Sequence, residues 1–125
     1  AEVEIAGVAT DSRAVAPRAL FVCLPGYATE GGERRADRHD FAAAAVAAGA
    51  VALVVERPVA VSPEVTVVRV ADAWEAVSRI ACEFYRHPTS QLTTVGVTGT
   101  SGKTSTAYFT EAVLAQAGLQ PACFG

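Results

Sequence analysis

The chain has 125 residues, 51% of them hydrophobic, which suits one small domain or one domain and the beginning of another. Its formal net charge of −3 disfavours a generally basic nucleic-acid-binding protein. The most apolar window, residues 41–55, is shorter than the roughly 20 residues that a membrane-spanning helix needs. No secretory signal pattern opens the sequence. We therefore predict neither a nucleic-acid partner nor a membrane partner.

Three widely spaced cysteines, Cys23, Cys82 and Cys123, lack the paired spacing that zinc ligands have. Free cysteines are readily buried, so we interpret each as a small buried thiol in a reducing compartment. This interpretation predicts a cytoplasmic protein, and a monomer is the expected assembly.

Strand patterns alternate with helical patterns along the chain, which predicts an α/β fold. From the N-terminus, apolar and β-branched segments predict strands over residues 3–9, 20–24, 51–55 and 65–70. A polar turn at residues 11–13 separates the first two strands. Residues 26–38 are rich in Gly, Glu and Arg, which predicts a long exposed loop. Asp40 is predicted to cap a helix over residues 41–48, and Gly49 to end it.

Asp72 begins the most clearly patterned helix, with Glu75 three residues later as in a capping box. One face of this helix is apolar and predicts its buried side; that face carries Trp74, Val77, Ile80, Ala81 and Phe84. Trp74, Phe84 and Tyr85 are interpreted as core residues. The helix is predicted to end near His87, because Pro88 disfavours helical backbone in the residue before it.

We place a domain boundary near residue 90. Beyond it we predict a strand over residues 93–97, a helix over residues 103–117 closed by Gly118, and the beginning of a strand near Ala122. One strand, one loop and one helix are too few to bury a core. The chain therefore looks truncated, with one domain and the first part of another.

A glycine-rich loop at residues 96–105 joins that strand to that helix. Its small residues let backbone N–H groups turn towards one concavity, and the helix N-terminus adds donors and a positive dipole end. Lys103, the only lysine in the chain, would reach the β- and γ-phosphates of a nucleotide, and the Thr104 hydroxyl would hold Mg²⁺. The predicted phosphate-binding residues, which the resemblance described next makes an ATP site, are Gly99, Thr100, Ser101, Gly102, Lys103, Thr104 and Ser105. The alternative is a plain turn, since Val97 stands where the general pattern needs glycine.

Residues 98–104 resemble the T-G-T-x-G-K-T loop of the Mur ligases, ATP-dependent amide ligases of bacterial cell-wall synthesis, which have no strict glycine at the position of Val97. Residues 11–26 resemble the D-S-R-x-V-x-P-G-x-L-F-V-x-L-x-G stretch of their N-terminal domain. Residues 39–52 resemble its D-G-H-x-F…A…G-A-x-A continuation. The resemblance covers essentially the whole chain and is closest to the MurE type. Arg18 and Arg38 depart from it, because the family usually has glycine at both positions.

The resemblance implies a small N-terminal α/β domain at residues 1–90 that binds the UDP substrate. It implies that residues 91–125 are the first strand, P-loop and helix of a central P-loop ATPase domain. The implied UDP-substrate residues are Asp11, Ser12, Arg13 and His39. Ser12 is the best candidate for a direct hydrogen bond to the nucleotide.

From the residues alone, other interpretations stay open. On sequence alone, the turn at residues 11–13 is more simply explained as structural, and His39 is equally explained as an exposed residue at a helix start. Arg34, Arg35 and Arg38 either contact the substrate diphosphate or lie in a solvated loop.

The chemistry implied by the resemblance begins with transfer of the γ-phosphate of ATP to a carboxylate of a UDP-N-acetylmuramoyl peptide, which forms an acyl phosphate. The amino group of an incoming amino acid then displaces the phosphate. Lys103 is the implied catalytic residue, acting with Mg²⁺ by positioning and charge neutralisation. We expect the 125 residues alone to bind nucleotide weakly and not to turn over. The alternatives are a MurF-type ligase, a non-catalytic uridine-nucleotide-binding module and an unrelated P-loop kinase or GTPase.

Overall fold

The chain folds into two compact units, Ala1–Pro88 and Thr89–Gly125. The computed structural model describes residues 3–29 and 32–124. No helix within these residues has the length and apolar character needed to cross a membrane. The first unit contains the sheet, and the second contains the glycine-rich loop and one long helix.

The first unit is built on a four-stranded parallel sheet, which confirms the predicted α/β class. Its elements in chain order are β1 Gly7–Ala9, β2 Ala19–Val22, β3 Tyr27–Ala28, β4 Arg34–Arg35, α1 Ala42–Ala47, β5 Ala50–Val55, β6 Thr66–Arg69 and α2 Ala73–Phe84, with 3-10 turns at Ser12–Ala14 and Arg38–Phe41. The strand order is β1-β2-β5-β6, and β3 pairs antiparallel with β4 in a separate hairpin.

The four strands of this sheet all end at the same edge, because each neighbouring pair is parallel. We call the residues that follow the strands, 10–14, 23–26, 56–57 and 70–72, the carboxyl edge. In open parallel sheets, ligands bind in the crevice outside this end of the strands. The polar turn at residues 11–13 lies there, directly after β1.

The core lies on both faces of the sheet, because consecutive residues of a strand point to opposite sides. Phe21 and Leu53 pack on the face that α1 covers. Val22 and Val54, each one residue further along, pack on the opposite face against α2. Helices on both sides explain why β2 and β5 read as continuous apolar runs.

The three cysteines differ in burial, and all are free thiols. Cys23 is buried as predicted, and this burial raises the pKa of its thiol to about 11. Cys82 and Cys123 are only partly buried, so the prediction of three buried thiols is wrong for these two.

The predicted exposed loop over residues 26–38 contains the hairpin of β3 and β4, which corrects the prediction; residues 30 and 31 of that loop lie outside the described residues. Thr29 donates its backbone N–H to the carbonyl of Glu33 at 2.8 Å. Two-residue strands are too short to give an alternating pattern. Residues 26–28 and 32–36 of the segment are exposed, as its composition predicts.

The connection into β5 depends on two left-handed residues. Gly49 follows α1 with φ +113, and a Cβ there would lie 3.0 Å from the Cα of Pro17. Arg18, where the resemblance leads one to expect glycine, has φ 65. Its N–H donates to the carbonyl of Gly49 at 2.8 Å, and its carbonyl accepts from Ala6 at 3.0 Å. Two backbone bonds therefore hold Arg18 in a conformation that non-glycine residues avoid.

The start of α1 differs from the prediction. Asp40 does not cap the helix; it lies inside the 3-10 turn Arg38–Phe41, and Asp37 caps that turn by accepting from the N–H of His39 at 2.9 Å. The residue at the N-cap of α1, Phe41, makes no side-chain cap bond. Sequence patterning missed the turn because both aspartates satisfy the same local capping preference.

The start of α2 is as predicted, since Asp72 accepts from the N–H of Glu75 at 2.9 Å. The predicted buried face is only partly right. Val77 and Ile80 pack against the sheet, whereas Trp74, Phe84 and Tyr85 are 46%, 37% and 59% exposed. Interpreting these aromatic residues as core is therefore wrong, because the stripe that meets the sheet runs through Ala73 and Ala76 instead.

The second unit contains α3, Lys103–Gln116, which confirms the predicted helix, and Gly118 follows it with φ +83. Residues 93–97 form no strand, and neither do residues 121–124, so both strand predictions are wrong. A strand needs a neighbour to accept its hydrogen bonds, and no strand lies within the described residues of this unit. None of those residues is buried, which agrees with a unit too small to form its own core.

Candidate functional site

The polar turn after β1 is held by its own side chains. Asp11 accepts from the backbone N–H of Arg13 at 3.0 Å and caps the 3-10 turn Ser12–Ala14. The guanidinium of Arg13 donates to both carboxylate oxygens, at 3.0 and 2.6 Å. These hydrogen bonds from Arg13 hold the pKa of Asp11 well below its usual range. Asp11 and Arg13 thus neutralise each other and fix the turn.

Ser12 lies between Asp11 and Arg13 in the sequence, but its side chain takes no part in their ion pair. Its side chain is partly buried, and its hydroxyl has no hydrogen-bond partner within residues 3–29 and 32–124. A hydroxyl both donates and accepts. The turn therefore presents one unused polar group at the carboxyl edge, on a backbone that the Asp11–Arg13 pair fixes.

His39 is buried, at 5% exposure, so the interpretation of an exposed histidine is wrong. Its Nε2 accepts from the backbone N–H of Glu56 at 2.9 Å. Because Nε2 accepts, Nδ1 carries the proton and donates to Asp37 at 2.6 Å. Both ring nitrogens are therefore bonded within the protein, and the structure places His39 under the carboxyl edge, away from solvent.

Around His39 lies a polar network that the sequence analysis missed. Arg57 donates to Asp40 at 2.8 Å and to Asp37 at 3.3 Å. Glu56 accepts from the N–H of Ala73, the first residue of α2, at 2.7 Å. Although burial acts to raise it, the bonds from His39 and Arg57 lower the pKa of Asp37. One sequence signal was present: two charged residues, Glu56 and Arg57, directly follow a buried strand.

The exposed hairpin carries Arg34 and Arg35 on β4. At its other strand, Tyr27 meets Trp74 edge to face, with ring centroids 5.7 Å apart. This contact joins the hairpin to the start of α2. Arg38 follows the hairpin as the first residue of the 3-10 turn, and its N–H donates to the carbonyl of Leu24 at 2.8 Å.

The glycine-rich loop of the second unit ends at Gly102, which has φ 72 and is the N-cap of α3. A left-handed residue here favours glycine. Gly102 offers no side-chain cap, so the N–H groups of the first turn of α3 lack a partner from the cap. These donors and the positive end of the helix dipole are the features that bind phosphate at helix N-termini.

Lys103 extends from the first position of α3 back over this loop. Its Nζ donates to the carbonyl of Gly99 at 2.7 Å, and it forms no ion pair within the described residues. An ammonium has three donors, so two remain. Thr100, Ser101, Thr104 and Ser105 are all exposed. The arrangement leaves a positive charge and open donors at one helix end.

The described residues contain no cluster of metal-ligating side chains. Within residues 3–29 and 32–124, no three His, Cys, Asp or Glu side chains lie where they could share a metal ion. The Thr104 hydroxyl, exposed in the first turn of α3, stays the predicted Mg²⁺ ligand.

Known proteins match along both units. A family described as "Mur ligase family, catalytic domain" matches residues 4–85. A UDP-N-acetylmuramoyl-L-alanyl-D-glutamate–2,6-diaminopimelate ligase of Geobacter metallireducens is 46% identical over 123 residues, which are 98% of this chain and 23% of that protein. The enzyme of the same name from Caldanaerobacter subterraneus is 44% identical over 114 residues, 91% of this chain and 22% of that protein. The chain thus spans less than a quarter of these relatives.

Solved structures also match. MurF from Acinetobacter baumannii is 32% identical with a TM-score of 0.67, covering 90% of this chain and 22% of that one. MurF from Thermotoga maritima in complex with ADP is 27% identical with a TM-score of 0.62, covering 87% of this chain and 23% of that one.

Proposed function

The chain belongs to the Mur ligase family, and we propose that it serves an ATP-dependent ligase that joins an amino acid to a UDP-N-acetylmuramoyl peptide in peptidoglycan synthesis. The observation that carries this proposal is the loop at residues 99–105, with its open helix N-terminus and the free charge of Lys103. The identity of 46% over 98% of the chain with a 2,6-diaminopimelate ligase supports the MurE type. We therefore expect 2,6-diaminopimelate to be the first amino acid to test as a substrate.

In the proposed first site, the carboxyl edge binds the uridine-diphosphate end of the substrate. Ser12 bonds the nucleotide directly, because its hydroxyl is unused. Asp11 and Arg13 hold the turn that presents it. His39 supports this site from below the carboxyl edge, because its two ring nitrogens connect the turn at residues 38–41 to the end of β5.

In the proposed second site, the loop binds the phosphates of ATP. The first-turn N–H groups of α3 cradle the phosphate oxygens, and Lys103 exchanges its bond to Gly99 for the β- and γ-phosphates. Thr104 holds Mg²⁺. Bound ATP supplies the phosphoryl group that activates the substrate carboxylate as an acyl phosphate. Lys103 contributes by positioning these phosphates and neutralising their charge.

A MurF-type ligase is the second candidate, because solved MurF structures match both the fold and the sequence. Identity favours the first candidate: 44% and 46% with two diaminopimelate ligases, against 27% and 32% with the MurF structures. The proposal keeps the cytoplasmic location expected for a protein with three unpaired thiols.

Isothermal titration of the 125-residue chain with UDP and with ATP·Mg²⁺ tests the two sites separately. We expect Ser12→Ala to weaken UDP binding and leave ATP binding unchanged, and Lys103→Ala to do the reverse. Ser62→Ala, an exposed serine far along the chain from the turn, is the matched control and should change neither. ATP binding without any preference for a uridine nucleotide would contradict the proposal and favour an unrelated P-loop protein.

A further inference from the structure

Arg38 occupies a fixed position at the carboxyl edge. It is the first residue of the 3-10 turn that Asp37 caps, and its N–H donates to the carbonyl of Leu24, two residues beyond β2. Its side chain is partly buried. By contrast, Arg34 and Arg35 lie on the exposed hairpin strand β4. The backbone of Arg38 is therefore anchored to the sheet.

This anchor places Arg38 at the same edge of the sheet as the turn that carries Ser12. β1 and β2 are paired neighbours, and neighbouring strands lie about 4.8 Å apart. The turn at residues 11–13 follows β1, and Leu24 follows β2. After the hydrogen bonds from Arg13, the charge of Arg38 is a further influence that lowers the pKa of Asp11, which agrees with this proximity.

The guanidinium of Arg38 has no ion-pair partner of its own within the described residues. Asp11 is paired with Arg13, and Asp37 and Asp40 are both paired with Arg57. His39 adds no charge while its Nε2 accepts a hydrogen bond. Within the described residues, the guanidinium of Arg38 makes no hydrogen bond or ion pair. A partly buried cation with free donors and an unused hydroxyl thus lie at the same carboxyl edge, after neighbouring strands.

We propose that Arg38 is a phosphate-binding residue of the nucleotide site, where its guanidinium and the Ser12 hydroxyl together bind the diphosphate of a nucleoside diphosphate. The inference rests on the proposed function of the first unit. A guanidinium matches phosphate oxygens in a two-pronged geometry that an ammonium or a glycine does not offer. Arg38 would then add a phosphate contact where the resemblance leads one to expect glycine.

The test measures binding of UDP, uridine and inorganic pyrophosphate to the 125-residue chain by titration. The variants are Arg38→Gln, Arg38→Lys and the control Arg35→Gln, which removes the same charge from the exposed hairpin. We expect Arg38→Gln to weaken UDP and pyrophosphate binding about tenfold and to leave uridine binding unchanged. Arg38→Lys keeps the charge but loses the forked geometry, so its loss should be intermediate. Arg35→Gln should change none of them.

Equal losses for Arg38→Gln and Arg35→Gln would overturn the inference, because a general positive field would then explain the effect. So would normal UDP binding in Arg38→Gln alongside weakened binding in Ser12→Ala, a result that leaves the proposed uridine site standing. Absence of UDP binding to the unmodified chain would overturn both proposals. Thermal melting shows whether each variant is folded. If Arg38→Gln does not fold, the binding of UDP and pyrophosphate to Arg38→Lys decides whether Arg38 contacts the phosphates.

Discussion

The two candidate sites are held in place by different means. The carboxyl edge of the first unit lies on a sheet with a two-faced core, and the hydrogen bonds of His39 and Glu56 beneath it join three chain segments. The loop of the second unit has only local bonds, such as that of Lys103 to Gly99, and none of the described residues of that unit is buried. The first site is therefore preorganised, whereas the second presents donors at a helix end without a core behind them.

The two units should differ most in the stability that is lost when an aliphatic side chain is replaced by alanine. Leu53 is fully buried in β5, and Leu53→Ala should reduce the free energy of unfolding by about 3–4 kcal/mol, through lost burial and a cavity. Urea unfolding followed by the fluorescence of Trp74, the only tryptophan, measures this in the first unit.

The matched change in the second unit is Val113→Ala, at a residue that is 68% exposed in α3. It should shift the same transition by less than about 0.5 kcal/mol. Comparable losses from the two substitutions would mean that the units do not differ in this way.

A second prediction compares one hydrogen-bonded residue from each candidate site, the buried His39 and the exposed Lys103. His39→Ala removes the acceptor of the buried Glu56 N–H and a donor to Asp37, so it should cost about 2 kcal/mol of stability. Lys103→Ala removes one exposed bond and should leave stability unchanged while it weakens ATP binding. Stability loss in Lys103→Ala would show that the loop is more tightly integrated than its contacts indicate.

How much the sequence predicted depends on how local each signal is. The start of α2 was predictable, because Asp72 and Glu75 cap it three residues apart. The loop and the start of α3 were predictable from another local signal, a glycine-rich segment that ends at Gly102 directly before a helical pattern. The strand over residues 93–97 was not, because a strand exists only when a neighbour pairs with it.

The candidate site shows the same limit. The turn at residues 11–13 is readable because Asp11 and Arg13 bond within it. The burial of His39 is not readable, because Glu56 lies 17 residues away along the chain. The packed face of α2 was misassigned at Trp74 for a similar reason: helical spacing gives faces but not which of them meets the sheet.

The pH dependence of stability offers a smaller and more specific contrast. The folded pKa of Asp37 is lowered, so its contribution to stability is present above its unfolded pKa of about 3.9 and is lost as the pH falls further. Asp37→Asn should therefore be less stable than the parent chain at pH 7 and should lose less stability between about pH 4 and pH 2. Urea unfolding at both pH values measures the difference. Parallel losses in the two proteins would show that His39 and Arg57 do not stabilise the Asp37 carboxylate.

The smallest effect concerns backbone conformation at Arg18. Glycine normally destabilises a folded chain relative to alanine by roughly 0.5–1 kcal/mol. At φ 65 the order should reverse, because a left-handed residue with a Cβ costs about 1–2 kcal/mol. Both Arg18→Gly and Arg18→Ala lose the exposed ion pair with Glu4, so the comparison between them isolates the backbone. We expect the glycine variant to be more stable than the alanine variant by about 0.5–1 kcal/mol. If alanine is the more stable, the two backbone bonds of Arg18 do not hold it in the left-handed region, and the glycine that the resemblance leads one to expect here needs another explanation.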